Sequence, residues 1–98
     1  MDRRRFEHLF AELSVSCGQL VPRFRLWLQL REAGADPEGL SRHDALTFCD
    51  EGVVSFLAAE GLSLSRWQRR KLRHAVSVFD PELTTPSEIL ERLDGEEA

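Results

Sequence analysis

The chain has 98 residues, of which 42% are hydrophobic and 31% charged, with a net charge of −4 and two cysteines. This length predicts one domain over residues 1–98 with one modest core, and the composition excludes a disordered chain. Two cysteines are too few for a disulfide framework, and no apolar run is long enough for a secretory signal or a membrane span. We therefore expect a cytoplasmic protein with reduced thiols and no membrane partner, frayed at about 1–4 and 95–98.

The charge is unevenly distributed along this acidic chain. Residues 80–98 carry seven Asp/Glu and one Arg, whereas residues 62–79 contain no acid at all. An acidic total argues mildly against a dedicated nucleic-acid binder, so the local excess of positive charge needs a separate reason. The basic residues of this stretch are Arg66, Arg69, Arg70, Lys71 and Arg73.

Residues 3–17 predict a first helix that ends at Gly18. Its run Arg3-Arg4-Arg5 lies at the helix end whose dipole disfavours cations, which favours a solvated terminus over the alternative, a basic arm. One helical face carries the apolar residues Phe6, Leu9, Phe10, Leu13 and Cys17.

A second helix is predicted from Pro22 to about Ala33. It is apolar on two sides, with Phe24, Trp27 and Leu28 on one and Leu26 and Leu30 on the other. Such a short helix is usually packed between neighbours, so we expect it at the centre of the bundle.

The loop 33–39 precedes a third helix, capped by Ser41 and extending to about Glu60. Gly52 interrupts this helix, which predicts either a bend or the close approach of a neighbour. Ser63 or Ser65 caps the fourth helix, which occupies the stretch 62–79. Thr85-Pro86 begins a short fifth helix over about 86–93. The predicted fold is therefore all-α, a compact single-domain bundle of about five helices.

The fourth helix has distinct faces at 100° per residue. Its core face holds Gln68, Leu72, Ala75, Val76 and Phe79, and a stripe of arginines lies about a quarter to a third of a turn away. Trp67 stands beside that stripe.

The arginine stripe is either a binding surface or a solvated face. As a binding surface it suits a protein, because Arg and Trp dominate interface hot spots, and equally a nucleic acid, because they suit phosphate contact with base stacking. A charge run is, however, usually just a solvated face, and the acidic segment 80–98 could pair with it inside the molecule. In that case Glu88 and Glu91 would lie over Arg69 and Arg73.

The sequence has no motif for catalysis, a cofactor or a small-molecule ligand, so we expect neither an enzyme nor a cofactor. A zinc site would need ligands from separate helices, because no two of the candidates have close ligand spacing. We therefore expect no metal. The candidates are His8, His43, His74, Cys17 and Cys49.

The sequence favours a non-enzymatic protein-interaction or regulatory module that uses the basic face of helix 62–79. Its partner would be an acidic protein surface or a second copy of the chain, bound by Arg66, Trp67, Arg69, Arg70 and Arg73. The turn at Gly61-Leu62 and the basic helix after it resemble, over about twenty residues, the last helices of sterile alpha motif domains, a protein-interaction fold. The upstream sequence does not match, so no family is assigned.

The first alternative is DNA or RNA binding through a helix-turn-helix-like pair, 53–60 and 63–79. The contacts to nucleic acid would then come from Ser65, Arg66, Arg69, Arg70 and Arg73. The second alternative is an assembly subunit of a larger complex, which would use exposed apolar residues that no sequence pattern identifies.

Overall fold

The computed structural model describes residues 3–79, which contain four helices and no strand. They are α1 (Arg4–Cys17), α2 (Arg23–Glu32), α3 (42–59) and α4 (Arg66–Ser77), with a 3-10 turn at Pro37–Gly39. The all-α class is confirmed. The predicted fifth helix, 86–93, lies outside the described residues, so the bundle is shown with four helices where about five were predicted.

Local signals end α1 and begin α3 where the sequence placed these boundaries, whereas α4, predicted over 62–79, is shorter at Arg66–Ser77. Gly18 adopts a left-handed φ of 74°, and the backbone N–H of Gln19 donates to the carbonyl of Ser14, which closes α1 in a Schellman motif. The Ser41 hydroxyl accepts a hydrogen bond from the backbone N–H of Asp44 at 3.0 Å and caps α3. These short-range contacts account for the agreement between predicted and observed boundaries.

The core lies where α1, α3 and α4 pack against one another. The predicted apolar face of α1 is confirmed, since four of its five members are buried and Cys17 packs against the core. From α4, Leu72 and Val76 are each only 1% exposed. The third helix contributes Phe48, Cys49, Val53, Phe56 and Leu57.

The predicted central position of α2 is wrong. Its Leu26 and Leu30 are buried, but Phe24 is 67% exposed and Leu28 37% exposed. In the described part of the chain α2 lies at the edge of the bundle, and its main backbone neighbour is the 3-10 turn. Residues 3–79 therefore leave one side of this helix uncovered.

The helix α3 changes its winding at Gly52. It runs as α-helix over Arg42–Thr47, as a π turn over Phe48–Gly52, and as α-helix again over Val53–Ala59. A Cβ atom at Gly52 would lie 2.8 Å from Cδ1 of Phe48. The predicted interruption at Gly52 is thus a change of winding, and the glycine leaves room there for the buried ring of Phe48 from the same helix.

Candidate functional site

The fourth helix is held at its first turn by a capping box. The Ser65 hydroxyl accepts from the backbone N–H of Gln68 at 3.1 Å, and the Gln68 side-chain oxygen accepts from the backbone N–H of Ser65 at 2.8 Å. The Gln68 amide also donates to the carbonyl of Ser16 in α1 at 3.3 Å. At the other end, Arg42 Nε donates to the carbonyl of Ser77 at 2.9 Å. These bonds fix which side of α4 faces solvent.

The structure brings the four predicted arginines together on one side of α4. At 100° per residue they fall within an arc of about 100°. All four are exposed, and Trp67 stands on the adjoining side. We call this surface the α4 face, and it comprises Arg66, Trp67, Arg69, Arg70, Arg73 and Val78.

One arginine of the α4 face is already engaged. Arg73 Nε donates to Asp50 Oδ1 of the π turn at 2.7 Å. This hydrogen bond, together with the negative charge of Asp50, raises the pKa of Arg73. Asp50 is a site neighbour that sequence reasoning missed, because 23 residues separate it from Arg73 and no periodic pattern links them.

The other three arginines are free of such contacts inside the described range. Between residues 3 and 79, no hydrogen-bond or ion-pair partner reaches the guanidinium of Arg66, Arg69 or Arg70. The predicted rival partners, Glu88 and Glu91, lie outside that range. The positive charge of these three arginines is therefore not neutralised by α1, α2 or α3.

An apolar line runs beside the arginines. Trp67 is 65% exposed and Val78 61% exposed, and these residues are three helical turns apart on one side of α4. Lys71 Nζ lies 5.9 Å from the centroid of the Trp67 ring, within the range of a cation–π contact. His74 is exposed between Lys71 and Val78. The α4 face is thus both basic and partly apolar.

A groove of about 700 Å³ separates this line from α1. Its α1 wall consists of Glu12, Val15 and Ser16, which the sequence analysis did not connect with the site. The apolar Val15 and Ala75 contribute to the lining. Because the groove is open to solvent, it suits an extended or helical segment better than an enclosed small molecule.

The N-terminal arginines do not form a free basic arm. Arg3 pairs with Glu38 at 2.8 Å, and α1 begins at Arg4. The Arg5 guanidinium lies 5.5 Å from the centroid of the Phe79 ring. Of the ends predicted to be frayed, only residues 3 and 4 lie in the described range.

The connection between α3 and α4 is long for a helix-turn-helix. Six residues, 60–65, separate the two helices, whereas that motif has a turn of three or four. Gly61 has a φ of 72°, and the Leu62 N–H donates to the carbonyl of Leu57 at 2.8 Å. Ser65, a predicted nucleic-acid contact, already uses its hydroxyl to cap α4.

Thiols and imidazoles are dispersed among separate parts of the structure. Cys49 is buried in the core, and burial, aided by the charge of Asp50, raises its pKa to about 12. Burial also raises the pKa of Cys17. His8 stacks on Phe79 with ring centroids 4.0 Å apart. Over residues 3–79 no three His, Cys, Asp or Glu side chains are grouped for a metal ion.

None of the helices between residues 3 and 79 combines the length and apolarity that a bilayer crossing demands. Comparison of the chain with protein-family models, with curated proteins and with solved structures gives no match.

Proposed function

We propose that this chain is a non-enzymatic protein-interaction module whose α4 face binds an acidic segment of another protein. The observation that carries the proposal is the exposure of Trp67 and Val78 on one side of α4, next to Arg66 and Arg70. Exposed tryptophan surrounded by arginine is the composition of interface hot spots.

The energetics support a protein partner. The exposed part of Trp67 offers roughly 150 Å² for burial, which corresponds to about 4 kcal/mol before the costs of association. Arg66, Arg69 and Arg70 add charge without an internal partner between residues 3 and 79. Acidic groups on the partner would complement them and raise the rate of encounter.

The groove between α1 and α4 suggests the form of the partner. An amphipathic helix can place apolar residues against Val15 and Trp67 while its acidic residues face Arg70 and Lys71. This arrangement needs apolar residues at a helical spacing, flanked by glutamate or aspartate.

The cytoplasmic location stays a prediction.

Fluorescence polarisation with a labelled, glutamate-rich amphipathic peptide of about 20 residues tests the proposal. We expect micromolar binding that Trp67→Ser or the double change Arg66→Gln and Arg70→Gln weakens at least tenfold. Arg31→Gln is the matched control, since it removes one exposed positive charge from α2 and should leave binding unchanged. Equal binding of a scrambled peptide without an apolar face, or no binding at low salt, would contradict the proposal.

Nucleic-acid binding is the second candidate, favoured by the exposure of Arg66, Arg69 and Arg70 near the start of α4. A mixed-sequence DNA duplex, titrated over a salt series, discriminates the two. If the peptide does not bind, duplex binding with a steep salt dependence would replace the protein proposal. The logarithm of the binding constant should then fall by about 0.9 per neutralised phosphate for each tenfold rise in salt concentration. We expect no duplex binding at physiological salt.

A further inference from the structure

Three arginines of the α4 face stand close together in the first turns of the helix. Arg66, Arg69 and Arg70 occupy positions i, i+3 and i+4, which are neighbours on a helix surface. Their Cα atoms span about 6 Å along the axis, at 1.5 Å per residue. All three side chains are exposed, and no acceptor between residues 3 and 79 reaches their guanidinium groups. We call these three residues the arginine triad.

We propose that the arginine triad binds a phosphate monoester, so that the acidic segment bound by the α4 face is one phosphorylated on serine or threonine. The inference rests on the proposed function and names the chemistry of its ligand. A phosphorylated side chain carries a charge of about −1.5 to −2 at pH 7 and three acceptor oxygens. One such group can accept a hydrogen bond from each of three guanidiniums, whereas a carboxylate offers two oxygens and a single charge.

The triad occupies positions that are unfavourable for the stability of α4. Like charges at i, i+3 and i+4 repel one another, and the N-terminal end of the helix dipole disfavours cations. The first turn of α4 contains no acidic residue that would offset either effect. Natural sequences depart from such local rules mainly at functional sites. A bound dianion would neutralise the charges that repel one another, and this favours an anion ligand over a merely solvated face.

Nearby carboxylates limit the length of the anion that fits. Arg73, the next arginine on this side of α4, is engaged by Asp50 at 2.7 Å, and Asp50 is 48% exposed. The exposed Glu51 adds a second negative charge next to it in the chain. A nucleic-acid strand repeats its phosphates and would bring further ones towards these acids, whereas one phosphorylated side chain places its whole charge on the triad. The charge distribution therefore favours a single dianionic group over a polyanion.

The groove between α1 and α4 can hold the rest of the ligand. Arg70 belongs both to the triad and to the lining of this groove, which also includes Trp67 and the apolar Val15 and Ala75. A segment whose phosphate contacts the triad can thus place apolar residues in the groove. The ligand is therefore a phosphorylated serine or threonine within one or two helical turns of apolar residues.

Fluorescence polarisation with three labelled peptides tests this inference. The peptides share the amphipathic, glutamate-rich sequence described above and differ at one position, which is serine, glutamate or phosphoserine. We expect the phosphoserine peptide to bind about fivefold more tightly than the glutamate peptide, or better, and the serine peptide to bind most weakly. The phosphorus NMR resonance of the phosphoserine should shift on binding, which reports on the phosphate itself.

Arg69→Gln separates phosphate recognition from carboxylate recognition. Arg69 does not line the groove, so the glutamate peptide should lose less than about twofold in affinity, whereas the phosphoserine peptide should lose its advantage of about fivefold. Arg69→Lys retains the charge without the planar fork of donors and should preserve only part of that advantage. Arg31→Gln, which removes an exposed charge from α2, should leave both affinities unchanged. Circular dichroism verifies that each variant is folded.

Equal binding of the phosphoserine and glutamate peptides would overturn the phosphate inference and leave the proposed function standing, whereas binding of neither peptide would contradict both. A phosphoserine advantage that survives Arg69→Gln would place the phosphate away from the triad and overturn its assignment. Displacement of the phosphoserine peptide by a DNA duplex at equal phosphate concentration would show a general polyanion site and overturn it too.

Discussion

Arg73 of α4 and Asp50 of the π turn in α3 are joined by a hydrogen bond of 2.7 Å from Nε to Oδ1. Each side chain is about half exposed, at 50% and 48%, so the pair lies on the surface and stays accessible to a partner. The carboxylate of Asp50 therefore occupies a guanidinium that an acidic partner would otherwise bind. Within residues 3–79 it is the acid that pairs with an arginine of the α4 face.

Asp50→Asn should strengthen binding of the acidic peptide by about two- to fivefold. The change leaves Arg73 charged but without its ionic partner, so the peptide no longer competes with Asp50 for it. Fluorescence polarisation at low and physiological salt measures the effect. Glu51→Gln is the control, because it removes the neighbouring exposed charge without touching an arginine of the α4 face. An equal gain from both changes would assign the effect to net charge alone.

Gly52→Ala should destabilise the protein by about 1–3 kcal/mol, although alanine is the better helix former by about 1 kcal/mol. The added Cβ would lie 2.8 Å from Cδ1 of Phe48, and that ring is 5% exposed in the core. Urea unfolding measures the change.

The matched control for Gly52 is Gly39→Ala. A Cβ there would lie 3.5 Å from Asp36 Oδ2, an ordinary contact, so unfolding should change by less than about 0.5 kcal/mol. Phe48→Leu should relieve part of the cost of Gly52→Ala in a double-mutant cycle. Additive effects of the two changes would show that the ring and the glycine do not interact.

Ser65→Ala should lower stability by about 1 kcal/mol, whereas Ser63→Ala should have almost no effect. The sequence left open which serine caps α4, and the structure gives the role to Ser65, whose hydroxyl accepts from the Gln68 N–H. Ser63 is exposed and belongs to the connection before the helix. Thermal unfolding of the two variants measures the difference, and a larger loss from Ser63→Ala would contradict the assignment.

Sequence predicted best what neighbouring residues determine. The cap at Ser41, the stop at Gly18 and the apolar face of α1 depend on contacts within one or two helical turns, and all three were found where expected. The orientation of α4 followed for the same reason, since Leu72 and Val76 fix its buried side and place Arg66 and its neighbours outside.

Prediction from the sequence failed where the burial or pairing of a side chain depends on residues far away along the chain. Periodicity showed that α2 is apolar on two sides, yet it could not show that residues 3–79 bury only the side of Leu26 and Leu30. For the same reason the sequence did not predict the pairing of Asp50 with Arg73, or of Glu38 with Arg3, which lie 35 residues apart. Such pairs depend on how helices cross, which no local pattern encodes.

Cys49 should make the stability of the protein fall with rising pH above about pH 9. Burial raises its pKa to about 12, whereas the thiol of the unfolded chain ionises near pH 8.5. Between these values the folded state retains a proton that the unfolded state has lost, so its stabilising contribution is complete below the unfolded pKa and is lost as pH rises towards 12. The loss is at most about 1.4 kcal/mol per pH unit.

Urea unfolding at pH 8, 9, 10 and 10.5 measures the dependence. In Cys49→Ala the decline above pH 9 should be shallower than in the wild type, because the buried titrating group is gone. Cys17→Ala is the control, since Cys17 is only half-buried and its removal should change the slope less. The same burial predicts that a thiol reagent at pH 8 modifies Cys17 well before Cys49. Parallel pH profiles for the wild type and Cys49→Ala would show that Cys49 ionises as readily in the folded protein as in the unfolded chain.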